Sequence, residues 1–427
     1  MSMGVFLELF VEVGLLVESI KLASVIILII VMLRLRLDLG LAMFLSSIIL
    51  NFLFHIGLKG LFYDIYFAII DPTTLQLIGI VVLVYILSGI LKRTRSMDAI
   101  VYSLQQIVND YRIILFLIAS FLGFIPMPSG AMFSAPLLKE IGAENQMSPE
   151  EIMLSNYWFR HVWEFFWPLI PGVALYISII GVSVRDIVIA QFPLTIFALV
   201  IGFIWMYLTL EKINRNTINY NNFNQNLFKF LKNGWPILLV LLLVISAKMN
   251  LLISLTITII LLLMIKRVSF KTLQEIIIQD ISIKIVFMII GIMLFKQVLD
   301  STNSLEPISQ FLAETGVNIW VILFSIPFVI GFLTGIGVGY IGISFPIILP
   351  LMLNNGSLNL SMAMFSYLGG FVGMMVSPMH LCLALTVEYL KVDVAKFYKK
   401  LSLNLFFLII ISSIYIIFFN LARNPHL

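Results

Sequence analysis

Apolar residues run through the whole chain in segments as long as a lipid bilayer is thick, and this constrains the fold more than any other feature. Segments 74–91, 187–210 and 402–420 are each close to the roughly 20 residues that a membrane-spanning helix needs. Lipid offers no partners to backbone polar groups, so a spanning chain folds as helices or as a closed barrel. The apolar runs are continuous rather than alternating, which is typical of helices and not of a transmembrane barrel.

The composition indicates the same class of protein. Of the 427 residues, 61% are hydrophobic and 11% are charged, whereas soluble domains carry about 25% charged residues. We therefore predict an all-α polytopic membrane protein that lies in the lipid bilayer of the cytoplasmic membrane. The formal net charge of +4 is small, and we expect no nucleic-acid partner.

The single cysteine argues against disulfides and cysteine-cluster metal sites, and the N-terminal sequence predicts no cleavable signal peptide. Cys382 alone cannot form an intramolecular disulfide or a metal site built from clustered cysteines, and we expect neither a bound metal nor a cofactor. The first apolar run lacks the basic segment that precedes the core of a signal peptide. Residues 5–20 contain three glutamates, and we interpret them as an amphipathic lead-in, with an additional membrane helix left open.

Two apolar stretches are interrupted by residues that break helices. The string FIPMPSGAMFSAP at 124–136 holds three prolines, a glycine and two serines, and proline removes a backbone donor. Its apolar flanks are each about half a span long, so we predict a re-entrant hairpin over 112–138. The segment 318–352 contains TGIGVGYIG and is predicted to form a second one.

The order of segment lengths occurs twice along the chain. At an offset of 210 residues, the string at 156–175 aligns without a gap with the string at 366–385, pairing Tyr157 with Tyr367 and Pro168 with Pro378. We therefore predict two repeats of about five transmembrane helices, each with a hairpin and a broken helix. The predicted divisions are a first repeat over 1–210 (broken helix 153–180), a cytoplasmic linker over 211–232, and a second repeat over 233–427 (broken helix 362–390).

An odd number of spans per half turns the second half over, which gives an inverted-topology repeat of the kind common among secondary transporters. Threading the chain this way puts most of the 26 Lys and Arg residues on one face, which the positive-inside rule assigns to the cytoplasm. Both chain ends then lie outside. The exceptions are Arg160, which lies inside the membrane, and, on the outer face, Lys21, Lys59, Arg185, Lys248, Lys296 and Arg423.

Ionisable residues inside a membrane are functional candidates by default. The string WFRHVWEFFWP in the first broken helix supplies Arg160, His161 and Glu164. Arg160 and Glu164 are four residues apart and would share one face of a helix. We predict that Glu164 couples protons and that Arg160 and His161 bind substrate. The alternatives are that Arg160 reaches the cytoplasmic surface and that His161 makes a structural hydrogen bond between helices.

The hairpin tips and the second break supply the remaining candidates. Helix N-termini present free N–H groups and the positive end of the helix dipole, and glycine allows close backbone approach. The alternative for the glycine-rich tip is a tightly packed helix pair with small residues at its interface. The predicted substrate-binding residues here are Pro128, Ser129 and Gly130 of the first tip, Gly337 and Gly339 of the second tip, and Ser377 and His380 around Pro378.

Halves of this kind resemble the ion transporter superfamily, which includes citrate–cation, gluconate and sodium–dicarboxylate carriers and arsenite and sodium/proton antiporters. The string FLGFIPMPSGAMFSAPLL at 121–138 is most similar to a family within it that is known as a domain of unknown function. The resemblance implies that the hairpin tips and the unwound middle of the following helix bind substrate and coupling cation. The Ser-Asn-Thr tips of the dicarboxylate carriers are absent, so their specificity and sodium site do not carry over.

The sequence thus predicts a secondary active transporter and not an enzyme. Its expected partners are a small, anionic organic solute and a coupling proton or sodium ion, and a homodimer is left open. A cation/proton antiporter is the alternative within transport. The alternatives of another class are a non-transporting scaffold and an intramembrane serine hydrolase that uses Ser129 as nucleophile and His161 or His380 as base.

Overall fold

A computed structural model gives the fold and describes residues 3–124, 130–211, 223–281, 283–302, 316–354 and 356–423. The secondary structure of these residues is helical, apart from one small hairpin of strands β1 (Leu353–Asn354) and β2 (Ser357–Leu358). Among the described residues, five helices are long and apolar enough to cross a membrane, and a sixth span results if one bent helix pair is counted as a single span. The chain is an all-helical, multi-pass membrane protein, as predicted. The number of spans per half stays a prediction.

Among the residues that the structure describes, the first half of the chain contains ten helices and one 3₁₀ turn. Polar side chains cap many of them: Asp71, for example, accepts hydrogen bonds from the backbone N–H groups of Thr73 and Thr74. The helices are α1 (Met3–Arg34), α2 (Leu39–Leu53), α3 (Gly57–Ile70), α4 (Pro72–Arg93), α5 (Ser96–Ile107), α6 (Tyr111–Gly123), α7 (Gly130–Glu144), α8 (Pro149–His161), α9 (Pro171–Ile180) and α10 (Val184–Thr209), with the 3₁₀ turn at Val162–Phe165.

The second half has the same order of helices within the described residues. It begins with α11 (Phe223–Leu241), whose first turns are residues that the sequence assigned to the linker, and a π turn extends this helix over Leu242–Ser246. The others are α12 (Leu251–Lys266), α13 (Phe270–Gln279), α14 (Ile283–Ser301), α15 (Ile319–Thr334), α16 (Gly337–Ile348, followed by a 3₁₀ turn at Leu349–Met352), α17 (Leu360–Met375), α18 (Leu381–Leu390) and α19 (Val394–Arg423).

Three short helices, α3, α5 and α13, were not predicted. They mix apolar and polar residues, and the sequence analysis followed long apolar runs. The helix α13 is held at the end of α4, where Arg93 donates hydrogen bonds to Glu275, Gln279 and Asp280. These helices leave the order of the main apolar segments unchanged.

The helix boundaries repeat at the offset found in the sequence. A shift of 210 residues takes Pro171 to Leu381 and Ile180 to Leu390, so α9 and α18 coincide at both ends. The same shift takes the start of α10, Val184, to Val394, which starts α19. The two halves are therefore built to one plan at the level of individual helix ends.

The contacts between the halves are reciprocal. Helix α2 packs on α14, and its counterpart α12 packs on α4, the counterpart of α14. Likewise α16 of the second hairpin (α15 and α16) packs on α9, while α7 of the first hairpin (α6 and α7) packs on α18. This exchange means that each half packs on the other through corresponding helices. It brings both broken helices, α8–α9 and α17–α18, to the interface between the halves.

Candidate functional site

The first broken helix stops well before its prolines. Ser148 and Glu151 form a capping box that starts α8, and the α-helical part ends at His161, with Glu164 in the 3₁₀ turn that follows. Pro171 then occupies the first turn of α9, where its missing N–H has no cost. An expected i, i+4 face for Arg160 and Glu164 therefore does not form, because the helix changes geometry between them.

The second broken helix is interrupted at the matching place in its own half. Helix α17 ends at Met375, and α18 starts at Leu381, after the turn that contains Pro378. His380 precedes the first residue of α18, with extended backbone dihedral angles. Its imidazole is thereby aimed across the interface toward the first break.

Side chains satisfy the backbone carbonyl groups that the breaks release. Tyr367 donates a hydrogen bond to the carbonyl oxygen of Glu164 (2.5 Å), and Tyr157 donates one to the carbonyl oxygen of Met375 (3.0 Å). These are the two tyrosines that the 210-residue offset aligns, and each reaches the break of the other half. Non-helical backbone at membrane depth persists only where protein or a water-filled cavity satisfies it, so this exchange supports both breaks at once.

A cavity of about 490 Å³ lies where the two breaks meet. Arg160, His161 and His380, which contribute to its wall, are buried, at 8%, 2% and 7% exposure. The Glu164 side chain is 21% exposed. The remaining lining residues are Tyr85, Gly123, Ile170, Pro171, Gly172, Ile285, Ile336, Gly337, Val338, Tyr367, Met374 and Cys382.

Three helices begin at this cavity, and none of the three has a capping side chain. They are α9, α16 and α18, whose N-cap residues are Ile170, Ile336 and His380. Elsewhere Asp, Ser or Asn commonly takes this place, as Ser183 does at the start of α10. Uncapped helix starts leave N–H groups and the positive dipole end facing the cavity, which is a favourable environment for an anion.

The two histidines contact each other directly. Their Nε2 atoms are 3.0 Å apart, although they are 219 residues apart in the chain. The Nδ1 atom of His161 lies 2.6 Å from the carbonyl oxygen of Tyr157, and that of His380 lies 2.6 Å from the carbonyl oxygen of Gly335. Gly335 has φ +65, and an added Cβ would lie 2.6 Å from the backbone N of His380, so glycine is needed to place this ring.

Arg160 and Glu164 give the cavity one basic and one acidic side chain. Arg160 donates a hydrogen bond from Nη1 to the carbonyl oxygen of Leu122 (3.1 Å). Glu164 places Oε1 3.8 Å from Nε2 of His161, and Oε2 lies 3.9 Å from where a Cβ of Gly337 would be. No ion pair joins Arg160 to Glu164 among the residues that the structure describes. The role of Glu164 in proton coupling stays a prediction.

Two of the predicted substrate-binding residues do not line the cavity. Ser377 is fully buried and donates its hydroxyl hydrogen to the carbonyl oxygen of Phe332 (2.6 Å). Trp167, its partner at the 210-residue offset, likewise donates to the carbonyl oxygen of Phe124 (2.9 Å). Both side chains tie a break to the hairpin of the same half. Gly339 faces Thr334 across the start of α16.

Most of the first hairpin tip lies outside the described residues. Pro128 and Ser129 lie outside the described residues, and Gly130 starts α7 at their edge. The proposed serine nucleophile of a hydrolase therefore stays a sequence-based alternative. Its two candidate bases, His161 and His380, contact each other at the cavity.

Cys382 and Tyr367 are site residues that the sequence analysis missed. Cys382 is two residues beyond His380, in the first turn of α18, and was considered only as a member of a disulfide or of a cysteine cluster. Its position in the string HLC directly after a break was the available signal. Tyr367 had already been aligned with Tyr157, but nothing in the sequence indicated that each would bond the other half.

A larger cleft of about 630 Å³ lies elsewhere, between the loop that joins α9 to α10 and the start of α12. Arg185, Asp186 and Lys248 line it. These are charges near loops, where membrane proteins ordinarily carry them, and no helix breaks there. The cavity between the halves is the better candidate because its ionisable groups are buried.

Comparison with known proteins places the chain in a family. The profile of the family described as protein of unknown function (DUF401) matches residues 17–418, nearly the whole chain. The chain belongs to the DUF401 family. This confirms the resemblance of the 121–138 string at the level of the family. A search of curated proteins found no match.

Proposed function

We propose that this DUF401 chain is a secondary active transporter that carries a small, anionic organic solute across the cytoplasmic membrane by alternating access. The observation that carries the proposal is the polar cavity between two similar halves, at the point where a helix of each half is interrupted. A site shared by two repeats is the arrangement from which one repeat can rock against the other. An odd number of spans in each half makes these repeats inverted.

The charge of the cavity supports an anionic solute. The Arg160 guanidinium is buried, and only one hydrogen bond, to a backbone carbonyl, is seen for it among the described residues. Three uncapped helix starts face the same space. This combination supports membership of the ion transporter superfamily that the hairpin motif resembles. The coupling ion, proton or sodium, stays a prediction.

Cation/proton antiport is the second candidate function. The Glu164 carboxylate and two imidazoles in the same cavity favour it, because carboxylate and imidazole groups also bind cations. The two candidates differ in the sign of the solute, which a binding experiment can determine without knowledge of the solute.

We expect organic anions to stabilise the purified full-length protein against heat. The experiment is a thermal-shift screen of mono-, di- and tricarboxylates, organic phosphates and organic cations, each with and without sodium. A ligand of the folded state at 100 times its Kd adds about 2.7 kcal/mol to the free energy of unfolding. A concentration-dependent shift with an anion supports the proposal. Shifts with cations alone would favour antiport, and the absence of any anion shift would contradict the proposal.

A further inference from the structure

The hydrogen bonds of the two facing histidines determine where their protons are. The Nδ1 atoms of His161 and His380 each lie 2.6 Å from a backbone carbonyl oxygen. A carbonyl oxygen only accepts, so each Nδ1 must carry the hydrogen. In a neutral imidazole the other nitrogen then bears a lone pair. Both Nε2 atoms therefore present lone pairs to each other across 3.0 Å.

Two lone pairs at this distance repel unless a cation lies between or beside them. One proton shared by the rings would suffice if nothing else faced the pair. However, the Sγ atom of Cys382 lies within 4.8 Å of a ring nitrogen of each histidine, and Oε1 of Glu164 lies 3.8 Å from Nε2 of His161. Two ring nitrogens and a sulfur thus converge, with a carboxylate oxygen beside one of the histidines, and these are the ligand types of a zinc site.

The surroundings of the histidines fit such a site. Metal-bound histidines generally donate their second ring N–H to a carbonyl or carboxylate oxygen, which fixes the ring, and both rings have that partner here. Two nitrogens bound tetrahedrally at 2.0–2.1 Å from zinc would be about 3.3 Å apart, a few tenths of an ångström beyond the observed 3.0 Å.

We propose that His161, His380 and Cys382 bind a transition-metal cation of the Zn²⁺ class, with Glu164 as the fourth ligand. Thiolate and imidazole ligands select borderline to soft metals over Mg²⁺ and Ca²⁺. A divalent ion balances the thiolate and carboxylate charges, which leaves Arg160 and the helix starts to attract an anion. The inference rests on the proposed function only for the role of the cavity in transport. Metal binding by these residues does not itself require transport.

The proposal differs from the expectation that the chain holds no metal site. That expectation followed from counting cysteines, and only the fold shows that one cysteine meets two histidines from different halves. Because His161 ends α8 and His380 precedes α18, a bound ion would also link the two halves at the cavity. The site is formed from residues of both repeats, as a site at their interface must be.

Equilibrium binding of Zn²⁺ tests the proposal. Tag-free, full-length protein is stripped with chelator and titrated with Zn²⁺ alone by calorimetry, with bound metal counted by elemental analysis. We expect one ion per chain, and we expect His380→Gln and Cys382→Ser to weaken binding more than about 100-fold. His55→Gln is the matched control, since His55 lies in the turn after α2, away from the cavity, and it should bind as the wild type does.

The absorption spectrum of bound Co²⁺ distinguishes a Cys382 thiolate that binds the metal from a cysteine that only supports the fold. Co²⁺ bound to the wild type should show the charge-transfer absorption of a thiolate ligand, and Cys382→Ser should lose this band. Wild-type protein that binds no Zn²⁺, or that binds Co²⁺ without a thiolate band, would overturn the proposal and leave a shared proton between the imidazoles. The anion screen is run separately on metal-free and metal-loaded protein, so failure of metal binding and failure of anion binding are distinguishable.

Discussion

Arg160→Gln should lose the thermal shift that an organic anion gives to the wild type. The guanidinium is the buried fixed positive charge of the cavity, and a hydrogen bond to a charged group contributes about 1.5–3 kcal/mol. Its removal should therefore weaken anion binding roughly 10- to 150-fold. The measurement is the anion concentration that gives the half-maximal shift, compared between wild type and variant.

Two control variants show whether the anion binds in the cavity between the halves. Arg160→Lys keeps the charge and should retain part of the affinity, whereas Arg185→Gln removes a positive charge from the larger cleft outside the interface and should bind as the wild type does. If Arg185→Gln loses the shift while Arg160→Gln keeps it, the anion binds in the cleft. The assignment of the cavity would then be wrong.

Gly373→Ala should lower the stability of the protein by about 1–3 kcal/mol, the usual cost of overpacking a tight interface. In the contact between α15 and α17, a Cβ at Gly373 would overlap the carbonyl oxygen of Phe328. The obstacle is backbone, so α15 and α17 must move apart. The same close approach occurs at Gly369, where a Cβ would overlap the carbonyl oxygen of Phe324.

Gly234→Ala is the matched control for this variant. Gly234 also lies within a helix, α11, and the nearest atom to an added Cβ there is Cδ1 of Ile100, at 3.9 Å. Alanine should be neutral or should stabilise the helix by up to about 1 kcal/mol. The melting temperatures of both variants in one detergent give the comparison. Equal melting temperatures would contradict the tight packing of α15 on α17.

Glycine and proline residues that interrupt helices made much of the fold predictable. Glycine and proline interrupt helices at their own positions in the chain. The segment 318–352 could therefore be divided into two helices, and α15 and α16 occupy it. The same reasoning indicated the two broken helices, in which Pro168 and Pro378 lie between the two helical parts. The resemblance to the family was drawn from a string of the same kind at 121–138.

The contents of the site were less predictable, because they depend on contacts between distant residues. His161 and His380 were named as separate candidates, and no local pattern indicates that their rings meet. The pairing of Arg160 with Glu164 failed for a local reason, since i, i+4 geometry requires a continuous helix and α8 ends at His161. Ser377 was chosen for its hydroxyl group, which the structure shows bonded to a carbonyl oxygen at the hairpin.

The most direct test of the account asks whether the cavity opens to both sides of the membrane. Cys382 is the only cysteine of the chain and lines the cavity, so it is a built-in label site. Right-side-out and inside-out vesicles that contain the full-length protein are treated with a membrane-impermeant maleimide, with chelator present to keep the thiol free of metal. Cys382→Ser gives the background, and Lys232→Cys and Lys248→Cys in that background report the two faces.

Alternating access predicts that Cys382 is labelled in both kinds of vesicle, while Lys232→Cys reacts only from the predicted cytoplasmic side and Lys248→Cys only from the other. Labelling of Cys382 from one side alone, with both face controls reacting as expected, would contradict a carrier whose central site is exposed to each side in turn.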